Sequence, residues 1–132
     1  KTIGINRNQA GYPAGTRHEC YSAAMVEENE HALDRSDDME LVAYLIGTHH
    51  GRGRPLMPTV DDGGTLIRYE VDGKKLNFKG KHNLELLGSG WSDMFWRLNR
   101  RYGYWGLASL EMLLRLADHR QSAKEEVMQD EA

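Results

Sequence analysis

Two adjacent histidines, His49 and His50, close the segment LVAYLIGTHHG, whose apolar residues recur at helical spacing. His50 falls one turn beyond Ile46 and His49 three residues beyond it, so both flank the apolar stripe and can face inward from a helix end. Imidazoles placed this way suit a metal ion, because each offers a nitrogen lone pair while uncharged near neutral pH. The same pair would also suit the negative end of a helix dipole. Asp118 adds a carboxylate on the face that carries Leu110 and Leu114, where an unpaired charge aimed at a core is costly and calls for a cation. That cation is either a metal or an arginine such as Arg17, Arg52 or Arg54. With His18, the candidate ligands become His18, His49, His50 and Asp118, drawn from three helices. An HExxH zinc site starting at His18 fails, since position 22 is serine. Cys20, two residues from His18 and so nearly opposite it on a helix, reads as a small buried side chain. His31 and His82 sit in polar surroundings, and His119 is turned about 100° from Asp118; these three stay outside the set.

The elements that must position these residues are mostly helical. Small and apolar positions at Cys20, Ala23, Ala24, Val26 and Ala32 predict a helix over residues 17–33. Ser36 is the expected N-cap of a second helix, with Asp37 and Asp38 in its first turn, Met39, Val42, Ala43 and Ile46 as its stripe, and Gly51 as its stop. Residues 51–64 are rich in helix and strand breakers. The segments TLIRYEV and KKLNFKG, joined by Asp72 and Gly73, predict a β-hairpin insertion near residues 65–80. Ser92 would cap a short helix through Arg101, and a long helix is expected from about Tyr104 to Met128.

Composition narrows the class. A chain of 132 residues is the size of a single domain, and its lone cysteine excludes a disulfide scaffold or a CxxC zinc site. The longest apolar run, near residues 41–47, is too short to span a bilayer, and no signal segment opens the chain. No membrane partner is therefore expected, and a cytoplasmic location is. No phosphate-binding glycine loop and no internal repeat is present. The net charge of −3 hides a segregation: residues 17–51 carry 2 basic and 8 acidic groups, residues 52–101 carry 10 and 6. Arg52, Arg54, Arg100 and Arg101 lie in that basic segment with Trp91 and Trp96, a combination that would attract and stack an unpaired nucleic-acid strand. Solvated arginines and core tryptophans are the plainer alternative.

The motifs RHExxS at 17–22, IGTHHG at 46–51 and LRLADHRQS at 114–122 resemble, in order and rough spacing, the later motifs of the HD nuclease domain of the CRISPR-associated helicase/nuclease of type I systems. The resemblance implies an HD-domain helical bundle holding two divalent transition-metal ions, drawn from manganese, nickel, cobalt or iron, that cuts single-stranded DNA. It assigns His18, His49 and His50 to one ion and Asp118 to the other. The family's first histidine and its His-Asp pair precede the RHE motif, and residues 1–16 contain neither. The expectation is thus an irregular lead-in at 1–16 followed, over 17–132, by the C-terminal portion of a single HD-type domain, impaired in hydrolysis on its own. ATP use would belong to an associated helicase segment, and an RNA-guided CRISPR surveillance complex would open the DNA target. Two alternatives stand beside it: an HD-superfamily nucleotide phosphohydrolase, and a degenerate, non-catalytic HD module that binds a partner or nucleic acid.

Overall fold

A computed structural model describes residues 17–29, 37–59, 65–71 and 73–130. Among these residues the chain forms α1 (His18–Glu28), α2 (Met39–Thr48), β1 (Thr65–Val71), β2 (Lys74–Gly80), a 3-10 turn at Leu87–Ser89 and α3 (Trp91–Asp130). The architecture is mostly α: three helices with one small antiparallel sheet of two strands. Thr65 pairs with Gly80 and Val71 with Lys74, the register expected of a hairpin that turns at 72 and 73. The lead-in at 1–16 lies outside the described residues.

Helix α1 ends at Glu28, short of the expected residue 33, and Asn29 folds its side-chain amide back to donate to the Met25 carbonyl at 2.9 Å. Residues 30–36, with His31, Ala32 and Ser36, lie outside the described residues. Rather than burying one stripe, α1 buries most of its circumference: Glu19, Cys20, Tyr21, Ala23, Ala24 and Met25 are all covered. The small residues among them let α2 approach closely, while Tyr21 supplies bulk against Phe78 of β2 and the ring of His82.

The cap of α2 is Asp38, not the expected Ser36. Its carboxylate accepts the Leu41 backbone N–H at 3.1 Å and also the Tyr102 hydroxyl at 2.6 Å and Arg101 Nη1 at 2.5 Å, which ties the start of α2 to α3. Burial alone would raise the Asp38 pKa, but the hydrogen bonds from Tyr102, Arg101 and the Leu41 amide outweigh it and hold the carboxyl below its ordinary range. Near the other end of α2, Gly47 permits a close approach: a Cβ there would lie 2.4 Å from Trp91 Cη2 and 2.5 Å from Met57 Cε. Trp91 uses that space to stack on Tyr44 and to donate from Nε1 to the Gly53 carbonyl at 2.7 Å.

Two helices, 92–101 and 104–128, were expected where α3 runs; the structure shows one element with a break at Gly103, whose φ of 73° and ψ of 160° are not helical. It starts at Trp91, so Ser92 lies inside the first turn rather than at the cap, and the Trp91 N–H donates to Ser89 Oγ at 3.3 Å. Trp91, Met94, Leu98 and Leu107 enter the core. Beyond Glu111 the helix leaves the core, and Met112, Leu113, Leu116 and Val127 are exposed together with Trp105. Among the described residues no helix is long and apolar enough to cross a membrane.

Candidate metal centre

Helices α1 and α2 pack against each other with the first turn of α1 beside the last turn of α2. That places His18, the first residue of α1, against His49 and His50, which follow Thr48 at the end of α2. Thr48 Oγ1 donates to the Tyr44 carbonyl at 2.9 Å, and the Gly51 N–H donates to the Thr48 carbonyl at 2.7 Å, closing the helix end. Gly51 adopts a φ of 79°, a left-handed conformation that turns the chain immediately after the histidines.

The three rings sit as a cluster, with centroids 5.6 Å apart for His18 and His49, 4.9 Å for His18 and His50, and 4.0 Å for His49 and His50. Each offers a ring nitrogen, and these three atoms lie within 4.8 Å of one another. His18 Nε2 and His50 Nε2 are 3.2 Å apart. Two nitrogens bound to one tetrahedral ion at ~2.0–2.1 Å stand about 3.3 Å apart, so this pair already has a ligand-like separation. His49 Nδ1 is 2.6 Å from the Ile46 carbonyl, which can only accept; the ring proton is therefore on Nδ1 and the lone pair on Nε2. His18 Nδ1 lies 3.5 Å from Glu19 Oε2, and Arg17 Nη1 holds the other Glu19 oxygen at 3.3 Å. A carbonyl and a carboxylate behind two imidazoles are the outer contacts that orient histidine ligands. The negative end of α2 adds an attraction for a cation. On donor chemistry the residues fit a divalent transition-metal ion.

No protein-family model, curated protein or solved structure matches the chain.

Asp118 does not join the histidines. It is half-buried on α3 and absent from the group of converging ligand atoms. The face it shares with Leu110 and Leu114 is not a core face at that depth, since Leu114 is exposed, and helical phase says nothing about distance along the axis. Glu111, on the same face seven residues earlier and so about 10 Å nearer the core end of α3, is the acid that reaches the floor beneath the histidine loop. It is buried, and sequence reasoning missed it; its spacing of four from Leu107 was the available signal. Glu111 Oε1 accepts the Tyr44 hydroxyl at 2.6 Å and Oε2 accepts Arg54 Nη1 at 2.5 Å. Burial first, then the Glu111 hydrogen bond and charge, push the Tyr44 phenol far above its ordinary range.

The residues expected to meet nucleic acid divide. Arg52 and Arg100 are exposed, and Trp96 is partly exposed beside Phe95. Arg54 is engaged by Glu111, and Arg101 by Asp38 and Glu40. Trp91 is a correction: at 1% exposure, with its indole N–H committed to Gly53, it is core and has no face to offer a base. His82 is buried against Tyr21, with polar neighbours around Nδ1, the Leu84 N–H at 3.2 Å and Glu85 Oε2 at 3.1 Å. His119 is exposed, the position its helical phase implies.

Proposed function

We propose that the chain is part of an HD-type nuclease and supplies the three-histidine half of a metal centre that hydrolyses phosphodiester bonds of single-stranded DNA. The observation that carries this reading is the cluster of His18, His49 and His50, with two ring nitrogens 3.2 Å apart. When bound, a divalent transition-metal ion would lower the pKa of a coordinated water and draw charge from a phosphoryl oxygen. The chain's own residues orient the donors. The Ile46 carbonyl fixes the tautomer of His49, and the Arg17–Glu19 pair backs the ring of His18.

The cluster opens outward. His50 is exposed and His18 and His49 are half-buried, which suits a polymer passing over the site better than a mononucleotide enclosed in a pocket. Exposed Arg52 and Arg100, with Trp96, supply charge and a stacking face for the strand. In this proposal a second ion draws on Asp118 and on ligands beyond the three histidines. Strand delivery and ATP use fall to a helicase segment, at a DNA target opened by an RNA-guided CRISPR complex.

The test is cleavage of a single-stranded oligonucleotide, with manganese, nickel, cobalt or iron supplied, by the complete nuclease of which this chain is proposed to be part, unsubstituted and as His49→Ala and His50→Ala. Both substitutions abolish cleavage while leaving the circular dichroism spectrum and thermal midpoint unchanged. Cleavage that persists in both variants, or no cleavage by the unsubstituted protein with any of these metals, overturns the proposal.

A further inference from the structure

The geometry points to a phosphate-binding cleft beside the histidines, formed by Arg115 and Arg54, that takes the phosphate flanking the bond to be cut. The flanking role rests on the nuclease reading above; the anion site itself does not. Helix α3 passes next to the loop that follows His49 and His50, and the two enclose a cleft of about 190 Å³ lined by Thr48, His49, Gly51, Arg54, Glu111 and Arg115. His49 thus belongs to both the metal cluster and the wall of the cleft.

The charge in the cleft is positive. Glu111 is buried with one oxygen taken by Tyr44 and the other by Arg54, so its charge is matched before any ligand arrives. Arg115 is exposed and, among the described residues, pairs with no carboxylate. The sum over Arg54, Arg115 and Glu111 is one positive charge facing a space large enough for an oxyanion and its water. Arg54 is held in place by Glu111 and by a longer contact of Nη2 to the Gly51 carbonyl at 3.4 Å, so little ordering is left to complete on binding. Guanidinium groups present paired N–H donors that match phosphate oxygens.

Gly51 links this cleft to the histidine motif. A Cβ at that position would lie 2.8 Å from Arg115 Nη1, and the φ of 79° disfavours any side chain there. The residue that ends the His-His-Gly sequence therefore both turns the chain after the ligands and leaves the path by which Arg115 reaches over the loop. None of this was visible in the motif alone, because Arg115 stands 64 residues away in sequence.

The test uses the full chain in EDTA, with a short oligothymidylate as the probe, its binding read by fluorescence anisotropy across a salt series. Arg115→Ala weakens binding about tenfold and lowers the slope of log affinity against log salt by about one. Arg115→Lys recovers the slope but not the full affinity, because a point charge replaces a fork. Arg120→Ala, which removes an exposed arginine of the same helix outside the cleft, changes affinity less than twofold, within ordinary scatter for a solvated charge. Inorganic phosphate competes with the oligonucleotide on the unsubstituted protein and loses that competition in Arg115→Ala, which separates a phosphate site from general attraction to a polyanion. Equal effects of Arg115→Ala and Arg120→Ala, or unchanged competition by phosphate, overturn the cleft. A manganese titration on the same samples keeps the two ideas apart: metal binding with no Arg115 effect removes the cleft alone, whereas phosphate competition without metal binding removes the nuclease reading alone.

Discussion

Replacing Glu111 by leucine removes the one acceptor that the buried Tyr44 hydroxyl has on α3. Tyr44 is fully buried and Glu111 nearly so, so the stranded hydroxyl cannot turn to water. An unpaired buried hydroxyl costs ~1–3 kcal/mol. The Arg54 pair adds less, because the Arg54 side chain is 39% exposed and regains solvent when Glu111 is lost; about 0.5–1 kcal/mol is the scale for such a pair. Glu111→Leu should therefore lower stability by about 3 kcal/mol, a large part of the ~5–15 kcal/mol that holds a domain of this size. Glu111→Gln keeps an acceptor for Tyr44 and should cost about 1 kcal/mol. Tyr44→Phe removes the hydroxyl itself, and the double variant Tyr44→Phe/Glu111→Leu should be more stable than the sum of the single losses by about 1–2 kcal/mol. Urea unfolding followed by circular dichroism reads all four, with stability taken from the midpoint at constant slope. A Glu111→Leu variant within ~0.5 kcal/mol of the parent, or a cycle that adds without coupling, would refute the reasoning. A further check comes from alkali. The folded-state phenol of Tyr44 is raised above its ordinary value of 10.0, so its contribution is fully present below pH 10 and declines as pH rises beyond it; Tyr44→Phe flattens that decline.

Three other outcomes follow from the packing and the caps. Gly47→Ala places a methyl within 2.4 Å of Trp91 and 2.5 Å of Met57, and should destabilise by roughly 1–3 kcal/mol in a thermal melt; an unchanged midpoint would mean that Trp91 does not pack on α2. Asp38 has a folded-state pKa below its ordinary 3.8, so the stability it contributes is complete above that pH and is lost as pH falls through the lower folded value. Asp38→Asn should shorten the acid limb of a stability profile and, having kept a cap residue, cost no more than about 1 kcal/mol at neutral pH; an unaltered acid limb would contradict the assignment. Iodide should quench the fluorescence of Trp105 and Trp96 in single-tryptophan variants and spare Trp91, which is 1% exposed against 87% for Trp105; efficient quenching of Trp91 would place it outside the core.

What the sequence disclosed was what is local. Helix α2, the hairpin pairing of residues 65–71 with 74–80 and the division of the C-terminal region near Gly103 all rest on spacing within one or two turns. The buried face of α2, however, is Ala43, Tyr44, Gly47 and Thr48, and of the expected stripe Met39, Val42, Ala43 and Ile46 only Ala43 is fully buried. The approach of His18 to His49 and His50 depends on which helix ends meet, and short motifs carry that only indirectly. Asp118 and Glu111 share a helical face, so periodicity could not choose between them; the choice depends on where α3 leaves the core. Trp91 looked like a stacking platform because its neighbours in sequence are basic. Its burial is set instead by Gly47, whose missing side chain opens a slot in a different helix. Ser36 and Asp38 are both acceptable N-caps by residue type, and only the contacts of Asp38 with Tyr102 and Arg101, more than sixty residues away, distinguish them. The exposed stripe of Trp105, Met112, Leu116 and Val127 has the periodicity of a buried face, and no pattern on one helix reveals that its packing partner is absent among the described residues.

The account turns on His18, His49 and His50 acting together on one ion. Calorimetric titration of the full chain with manganese or cobalt at neutral pH tests that most directly, with His18→Ala and His50→Ala alongside. The account predicts saturable binding by the unsubstituted protein and loss of that binding in each variant, because removing either of two nitrogens 3.2 Å apart leaves too few donors to hold the ion. Binding of equal affinity in all three proteins, or no binding in any, would contradict it.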